Sequence, residues 1–321
     1  MKKQGLPFPA SFKTYPTHAE LAALDRDLQF SPCTNTEPAV LNRAQVEQFN
    51  EHGYLHGLPI FDRDQADELR RYCDAILAAE LARSGTSYSL VSAHLKHGRV
   101  YDLQRHPAIV AIIRDLLGPD VIAWGAHFFC KLAGDGKTVA WHQDASYWPL
   151  TPSKTVTVWL AVDDVDVENG CMQFMAGSHR FGHLDFYESD ESEQNVLDQT
   201  VGNPERYGTP VNIELQAGEI SIHTDMLLHS SAVNRSERRR CGLTMRYCTP
   251  DVSGNFGWTA EGGVVSGQDR FGNWDAPPRP DVECEGEITR KTGMRMKTVR
   301  GSGARQILFT VPTIPGDHVV E

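Results

Sequence analysis

Residues 121–132, VIAWGAHFFCKL, mark the point at which the sequence changes to short strand-like runs with a period of two. Further runs follow, separated by turns such as GDGK, ENG and AGSH: KTVTVWLAV, CMQFMA, VNIELQ, EISIH, MLLHSSAV and CGLTMRYC. Because no helical segments lie between these runs, their spacing predicts an antiparallel sandwich or barrel. The sequence therefore predicts a mainly β protein.

Helical patterns precede the strands. Asn42 is placed to cap RAQVEQFNEH, which ends at Gly53, and Asp64 is placed to cap a longer amphipathic segment that ends at Gly85. Pro107 stands at the first position of a third helix. We expect these helices to pack outside the β core and support it.

Composition divides the chain into three parts. Residues 1–40 are rich in Pro, Thr and polar groups, and they predict an extended arm. Residues 41–250 form the expected globular domain, with its β core at about 120–250. Residues 251–321 are rich in Gly, Pro and Asp, and they predict an irregular extension of the same domain that serves as a lid or a contact segment.

Overall charge and cysteine usage restrict the function. The 31 Lys and Arg against 42 Asp and Glu give a net charge of −11, which argues against a nucleic-acid partner. The seven cysteines are scattered without a CxxC pair, so neither a zinc ribbon nor a disulfide framework is indicated. Without a targeting segment or a run of roughly 18 apolar residues, we expect a cytoplasmic protein without a membrane partner. The oligomeric state is not indicated.

Two histidines and an aspartate form a candidate metal site. His142 and Asp144 lie two residues apart in TVAWHQDASYWPL, and positions i and i+2 of a strand share a face. Taken alone, the pair also fits a partly buried histidine beside an exposed aspartate. His229 adds a third group, which is costly to bury among apolar neighbours without a partner. These residue types form the facial triad of iron(II) oxygenases, so we predict that all three bind one catalytic metal ion.

The identity of the metal depends on a further residue, because zinc also accepts two histidines and one carboxylate. Arg240 begins the strand-like run RCGLTMRYC, eleven residues after His229. A buried guanidinium at this position would clamp the carboxylate of a dicarboxylic co-substrate, which a hydrolytic zinc site does not need. The alternative is a surface arginine at the end of a basic turn.

The motifs that carry these residues resemble those of the phytanoyl-CoA dioxygenase family of iron(II)- and 2-oxoglutarate-dependent oxygenases. WHQD contains the first two ligands, and NGCMQFMAGSH differs from the family pattern by Ala176 in place of the usual Pro. HSSAVNRSERRR matches a histidine followed by Ser two, Asn five and Arg eleven residues on. The resemblance covers about residues 40–250.

The resemblance implies a double-stranded β-helix, or jelly-roll, core that binds iron(II) through the three ligands and uses 2-oxoglutarate and dioxygen (O2) as co-substrates. It implies that Arg240 pairs with the distal carboxylate of 2-oxoglutarate and that Ser231 hydrogen-bonds nearby. Gln143 is carried over as a further co-substrate contact, and Asn234 as a turn former. Halogenases of the family have Ala or Gly in place of the carboxylate ligand, so Asp144 favours hydroxylation.

Strand parity extends the predicted site. If Arg240 faces the interior of the barrel, Arg246 does so as well, where it would hold an anionic substrate group, assist 2-oxoglutarate or form an internal ion pair. Thr157 is expected to line the co-substrate pocket. His223 shares the parity of His229 only if the residues between them contain no bend. The expected walls of the substrate cavity are Trp124, His127 and Trp148. Plain core packing is the alternative for these three side chains.

Together, the residues and the resemblance predict a 2-oxoglutarate-dependent dioxygenase. It would hydroxylate an unactivated C–H bond of a small organic substrate and release succinate and carbon dioxide. Three alternatives remain: a halogenase of the same family, a zinc or cupin-type isomerase or hydrolase that acts without oxygen, and a non-catalytic metal-binding module. The sequence does not indicate which small molecule is the substrate.

Overall fold

The structure is a computed structural model and describes residues 18–84, 86–88, 90–254 and 260–281. The described α-helices are α1 His18–Ala22, α2 Arg43–His52, α3 Arg63–Ser84, α4 Gly98–Leu103 and α5 Pro107–Leu117. None of these described helices has the length and apolar character needed to cross a membrane. The predicted end of the second amphipathic helix, Gly85, lies outside the described residues.

The starts of α2 and α3 show why these segments are helical. The Asn42 side chain accepts a hydrogen bond from the Gln45 amide at 2.9 Å, and the Gln45 side chain accepts one from the Asn42 amide, which completes a capping box. Asp62 and Gln65 make the same reciprocal pair at the start of α3. The cap of α3 is therefore Asp62, and the prediction of Asp64 is wrong by two residues.

The described β-strands are β1 Tyr54–Pro59, β2 Val121–Lys131, β3 Val139–His142, β4 Leu150–Thr151, β5 Thr155–Ala161, β6 Met172–Met175, β7 Tyr187–Glu188, β8 Gln199–Thr200, β9 Pro210–Ile213, β10 Glu219–Thr224, β11 His229–Ser231, β12 Arg240–Cys248, β13 Ser253–Gly254, β14 Ala260–Glu261, β15 Gly263–Ser266 and β16 Trp274–Asp275. The seven predicted strand-like runs overlap β2, β5, β6, β9, β10, β11 and β12. Strand β1 was not predicted, because its six residues show no regular alternation of buried and exposed positions.

Two antiparallel sheets form the core. Six strands pair in the order β1-β10-β5-β12-β2-β15, and four pair in the order β3-β11-β6-β9. Trp159 of β5 and Phe174 of β6 belong to one buried cluster, so the two sheets pack face to face. Helices α2, α3 and α5 pack against the other face of the six-stranded sheet. The prediction of a mainly β jelly-roll core with helices outside is confirmed.

Alternation along β12 determines which side chains face the space between the sheets. Leu243 and Tyr247 are fully buried in the core on the helix side of the sheet. The residues of opposite parity, which include Arg240 and Arg246, therefore point between the two sheets. Both guanidinium groups lie close to tryptophan rings there. The parity predicted for this strand is thus correct.

Residues beyond 250 contribute more regular structure than the predicted irregular extension. Strand β15 pairs with β2 at the edge of the six-stranded sheet. Trp274 packs against Trp124 with 6.2 Å between ring centroids, and its Nε1 donates to the Val252 carbonyl at 2.8 Å. Strands of two to four residues are too short to give a periodic signal, which is why the sequence did not indicate them. The rest of the extension, from residue 282, lies outside the described residues.

A disulfide joins β2 to β12. Cys130 and Cys241 are directly opposite each other in these adjacent strands, and their sulfur atoms are bonded. The two residues are 111 positions apart in the chain, so cysteine spacing gave no indication of the pair. The bond ties the strands together beside Arg240 and Lys131.

Candidate metal centre

The predicted triad converges between the two sheets. His142 ends β3 and His229 begins β11, and these residues are register partners in the antiparallel pairing of the two strands. Asp144 begins the short 3-10 turn Asp144–Ser146 rather than continuing the strand. Because Gln143 between the ligands is extended, with φ −109° and ψ 132°, the side chains of His142 and Asp144 still point the same way. One ligand atom from each residue lies within 4.8 Å of the others, and all three residues are buried.

Backbone carbonyls orient both imidazoles. Nδ1 of His142 lies 2.8 Å from the Ala140 carbonyl oxygen, and Nδ1 of His229 lies 2.9 Å from the Leu227 carbonyl oxygen. A carbonyl only accepts, so each Nδ1 carries the hydrogen and each Nε2 keeps a free lone pair. Burial lowers the pKa of both histidines. The two rings are therefore held in the neutral tautomer that a metal requires.

A residue of the six-stranded sheet, Thr157 on β5, holds the carboxylate of Asp144. Oγ1 of Thr157 donates to Oδ2 of Asp144 at 2.7 Å, while Oδ1 lies 3.9 Å from Nε2 of His142. Burial alone would raise the pKa of Asp144, but the neighbouring His223 and the charge of Arg246 outweigh burial and hold the pKa well below its usual value. Asp144 is therefore ionised and suited to a cation. Thr157 therefore contacts a predicted metal ligand. Its expected place in the wall of the co-substrate pocket stays a prediction.

His223 is a site residue that the sequence left undecided. Its Nε2 lies 3.6 Å from Oδ2 of Asp144, and its ring centroid lies 4.5 Å from that of His229. In the sheet it is the register partner of Thr157. From the sequence, the parity of His223 relative to His229 depends on whether the five residues between them contain a bend. The pairing of β10 with β5 shows which way His223 faces.

Arg240 is buried without an anionic partner among the described residues. Its guanidinium donates to the carbonyl oxygens of Gly170 at 3.1 Å and Phe129 at 3.2 Å, and to Oγ of Ser231 at 3.1 Å. Burial lowers its pKa to about 10, so it remains charged at neutral pH. Lys131 lies opposite in β2, where burial and Arg240 lower its pKa to about 6. The predicted alternative, a surface arginine, is wrong because Arg240 is only 2% exposed.

Gln143 is not positioned to contact a co-substrate, which corrects its predicted role. Nε2 of Gln143 donates to the carbonyl oxygens of Gly182 at 3.0 Å and Met226 at 2.6 Å, and Oε1 accepts from the Leu184 amide at 2.8 Å. The residue between two ligands of an extended segment must face the opposite side. Gln143 therefore fixes the surrounding loops.

We expect Gln143→Ala to lower the free energy of unfolding by about 3 kcal/mol, because it leaves buried backbone groups of three residues without a partner. Chemical denaturation measures this change. Gln173→Ala is the control, because Gln173 bonds an exposed Asn212 side chain, and its expected change is within about 0.5 kcal/mol. An unchanged midpoint for Gln143→Ala together with a weaker affinity for 2-oxoglutarate would support the original assignment instead.

Three predicted substrate residues lie together. The rings of Trp124 and Trp148 meet edge to face with 4.8 Å between centroids, and the Arg246 guanidinium lies 5.7 Å and 5.0 Å from them. Arg246 is also the register partner of Thr157, so this group lies beside the triad. His127, one row further along the sheet, is buried, and its Nε2 has no hydrogen-bond partner in the described part of the chain. Burial, followed by the charge of Arg246, lowers its pKa well below the usual value.

Asn234 has the structural role that was expected of it. Its side-chain amide donates to the carbonyl oxygens of Leu132 at 2.8 Å and Arg238 at 2.6 Å, and its Oδ1 accepts from the Ser236 amide. These bonds shape the turn that leads from β11 into β12. This turn positions Arg240 at the start of β12.

These features define a class of protein: a jelly roll that presents two neutral imidazoles and one carboxylate to a single metal ion, with a buried guanidinium nearby. The family model "Phytanoyl-CoA dioxygenase (PhyH)" matches residues 49–242. The chain therefore belongs to the phytanoyl-CoA dioxygenase family of iron(II)- and 2-oxoglutarate-dependent oxygenases.

Individual relatives are distant. Peroxisomal phytanoyl-CoA dioxygenase of Rattus norvegicus is 23% identical over 236 residues, which cover 66% of this chain and 70% of that protein. A probable alpha-ketoglutarate-dependent hypophosphite dioxygenase of Stutzerimonas stutzeri is 28% identical over 190 residues, or 54% of this chain and 63% of that protein. The solved structure of the apo form of the non-heme monooxygenase ThoJ superposes with a TM-score of 0.64 at 28% identity, covering 74% of this chain and 88% of that one.

Proposed function

We propose that this chain is an iron(II)- and 2-oxoglutarate-dependent dioxygenase that hydroxylates an unactivated C–H bond of a small organic molecule. The observation that carries the proposal is the pairing of two features in one buried site. One is the triad His142, Asp144 and His229, and the other is Arg240, whose described hydrogen-bond acceptors are all neutral. A buried charge of this kind is costly unless an anion joins it. A dicarboxylic co-substrate supplies that anion.

Each residue has a defined task in this proposal. His142 and His229 bind the metal through Nε2, and Asp144 binds it through a carboxylate oxygen. Arg240 clamps the distal carboxylate of 2-oxoglutarate, and Ser231, which already accepts from Arg240, adds a hydroxyl beside it. Iron, when bound with 2-oxoglutarate and dioxygen, supplies the oxidising chemistry. The protein positions the reactants and keeps bulk water away from them.

The substrate side of the proposed site is the group of Trp124, Trp148 and Arg246. The two indoles form a rigid apolar wall, and the guanidinium beside them suits an anionic group of the substrate or assists the co-substrate. His127 is neutral and offers a ring nitrogen for a weaker polar contact. A small molecule with an apolar body fits this combination.

The alternatives make different demands on the same residues. A halogenase needs the position of the carboxylate ligand for a halide, and here Asp144 fills it. A zinc isomerase or hydrolase has no use for Arg240. A non-catalytic module gives no physical reason to bury both a charged Arg240 and an ionised Asp144.

Succinate release from 2-oxoglutarate tests the proposal. The iron-loaded protein is incubated with 2-oxoglutarate, oxygen and a panel of small organic substrates, and we expect succinate together with a product that is heavier by one oxygen atom. The controls omit oxygen or replace iron(II) with zinc, and both should give no succinate. Turnover that persists without oxygen would favour the isomerase or hydrolase alternative. Absence of a visible charge-transfer band with anaerobic iron(II) and 2-oxoglutarate would mean that no co-substrate is chelated.

A further inference from the structure

His223 lies on the inner face of β10 and is only 1% exposed. Neither of its ring nitrogens has a hydrogen-bond partner among the residues that the structure describes. A buried imidazole with both nitrogens unsatisfied destabilises a fold, and such groups are rare in native proteins. A specific function is therefore the natural explanation for a histidine at this position.

The ring of His223 lies near the rings of Phe174 and His229 and near one carboxylate. Its ring lies 5.0 Å from that of Phe174, which itself meets the Tyr54 ring edge to face at 5.1 Å between centroids. Within the described chain, Asp144 is the one carboxylate within 4.0 Å of its ring nitrogens. The contact is between Nε2 of His223 and Oδ2 of Asp144, at 3.6 Å. Thr157, the register partner of His223, already donates to this same oxygen.

We infer that His223 is a positioning residue for Asp144, and that with Thr157 it holds Oδ2 so that only Oδ1 faces the metal. The inference rests on the metal site of the proposed function. A free carboxylate can bind a metal through both oxygens, which would occupy a coordination position that the co-substrate or oxygen needs. Two donors on Oδ2 oppose this second contact. A movement of about 0.7 Å brings Nε2 to the usual distance of a charge-assisted hydrogen bond.

This role predicts opposite effects on stability and on metal affinity. Both ring nitrogens of His223 lack a hydrogen-bond partner among the described residues, so an apolar replacement removes no hydrogen bond to the protein. In the metal-bound protein the same replacement removes a donor from the carboxylate ligand, and loss of such partners weakens metal binding about 10- to 100-fold. If His223 only filled the core, its replacement would not lower metal affinity while leaving stability unchanged or higher.

The test uses the full-length metal-free protein and cobalt(II) as the probe, followed by its visible absorption spectrum. We expect His223→Leu to weaken cobalt(II) affinity about 10- to 100-fold, to change the spectrum, and to leave the melting temperature of the metal-free protein equal or higher. His223→Gln keeps an N–H donor near the position of Nε2 and should restore most of the affinity. Thr157→Val should weaken affinity too, and its effect should not add to that of His223→Leu, because both act on Oδ2.

Ser221→Ala is the matched control. Ser221 lies two residues before His223 on the same face of β10, is equally buried, and also has an unsatisfied polar atom in the described structure, yet it is one row further from Asp144. It should leave cobalt(II) affinity and the spectrum unchanged. Parental affinity in His223→Leu would overturn the inference, and so would a loss of folding in that variant. A failure to form succinate by a protein that still shows the expected cobalt(II) pattern would count against the oxygenase function alone.

Discussion

Replacing Asp144 with Ala is expected to abolish succinate formation, with a loss of more than about 100-fold. Even partners that merely orient a metal ligand are worth about 10- to 100-fold, and this substitution removes the ligand itself. The carboxylate is also the only anion in the triad, so two neutral imidazoles would remain to hold a divalent cation. The measurements are succinate yield at saturating 2-oxoglutarate and iron(II) affinity by titration.

Two further variants make the Asp144 result specific. Asp144→Asn keeps the volume and an acceptor for Thr157 but removes the charge, so it separates loss of charge from loss of packing, and we expect it to be nearly as inactive. Asp102→Ala is the remote control, because Asp102 is half exposed and pairs with an exposed Arg279, and its activity should change less than about twofold. Full turnover by Asp144→Ala would remove the ligand assignment.

Local patterns were sufficient to predict most of the fold. The period of two in β12, the Asn42 cap and the proline at the start of α5 each depend on neighbouring residues, and each corresponds to an element of the structure. Pairing between distant segments was not predictable in this way. The strand β15 and the Cys130–Cys241 bond depend on which strands become neighbours, and short runs carry no such information.

The same distinction applies to the site. Residue type and spacing pointed to His142, Asp144 and His229, because two imidazoles and a carboxylate on a β scaffold fit a metal. The family resemblance, together with its place after His229, pointed to Arg240. Gln143 was assigned wrongly, although the parity that brings its two neighbours together also turns it away from them. His223 required the register of β10 with β5, since the parity argument could not be extended through the turn before His229. Alternation thus predicts the face of a residue within one strand but not across a turn.

Replacing Arg240 with Met is expected to raise the KM for 2-oxoglutarate by about 100-fold or more. Two charge-assisted hydrogen bonds contribute about 1.5–3 kcal/mol each, and each 1.4 kcal/mol corresponds to about a tenfold change. Arg240→Lys keeps the charge but loses the planar fork, so its KM should lie between those of the parent and Arg240→Met. Initial rates of succinate formation over a range of 2-oxoglutarate concentrations give these values.

The comparison of two co-substrates separates a carboxylate clamp from a structural arginine. Arg240→Met also leaves the carbonyls of Gly170 and Phe129 without their donor, so some loss of stability is expected under either role. A clamp, however, discriminates between 2-oxoglutarate and 2-oxopentanoate, which has the same chain without the distal carboxylate. The parent should strongly prefer 2-oxoglutarate, and Arg240→Met should lose most of that preference. Arg239→Gln, whose side chain pairs with Asp163 instead, should lose stability and keep the preference. An unchanged preference in Arg240→Met would show that Arg240 supports the fold and that another group recognises the co-substrate.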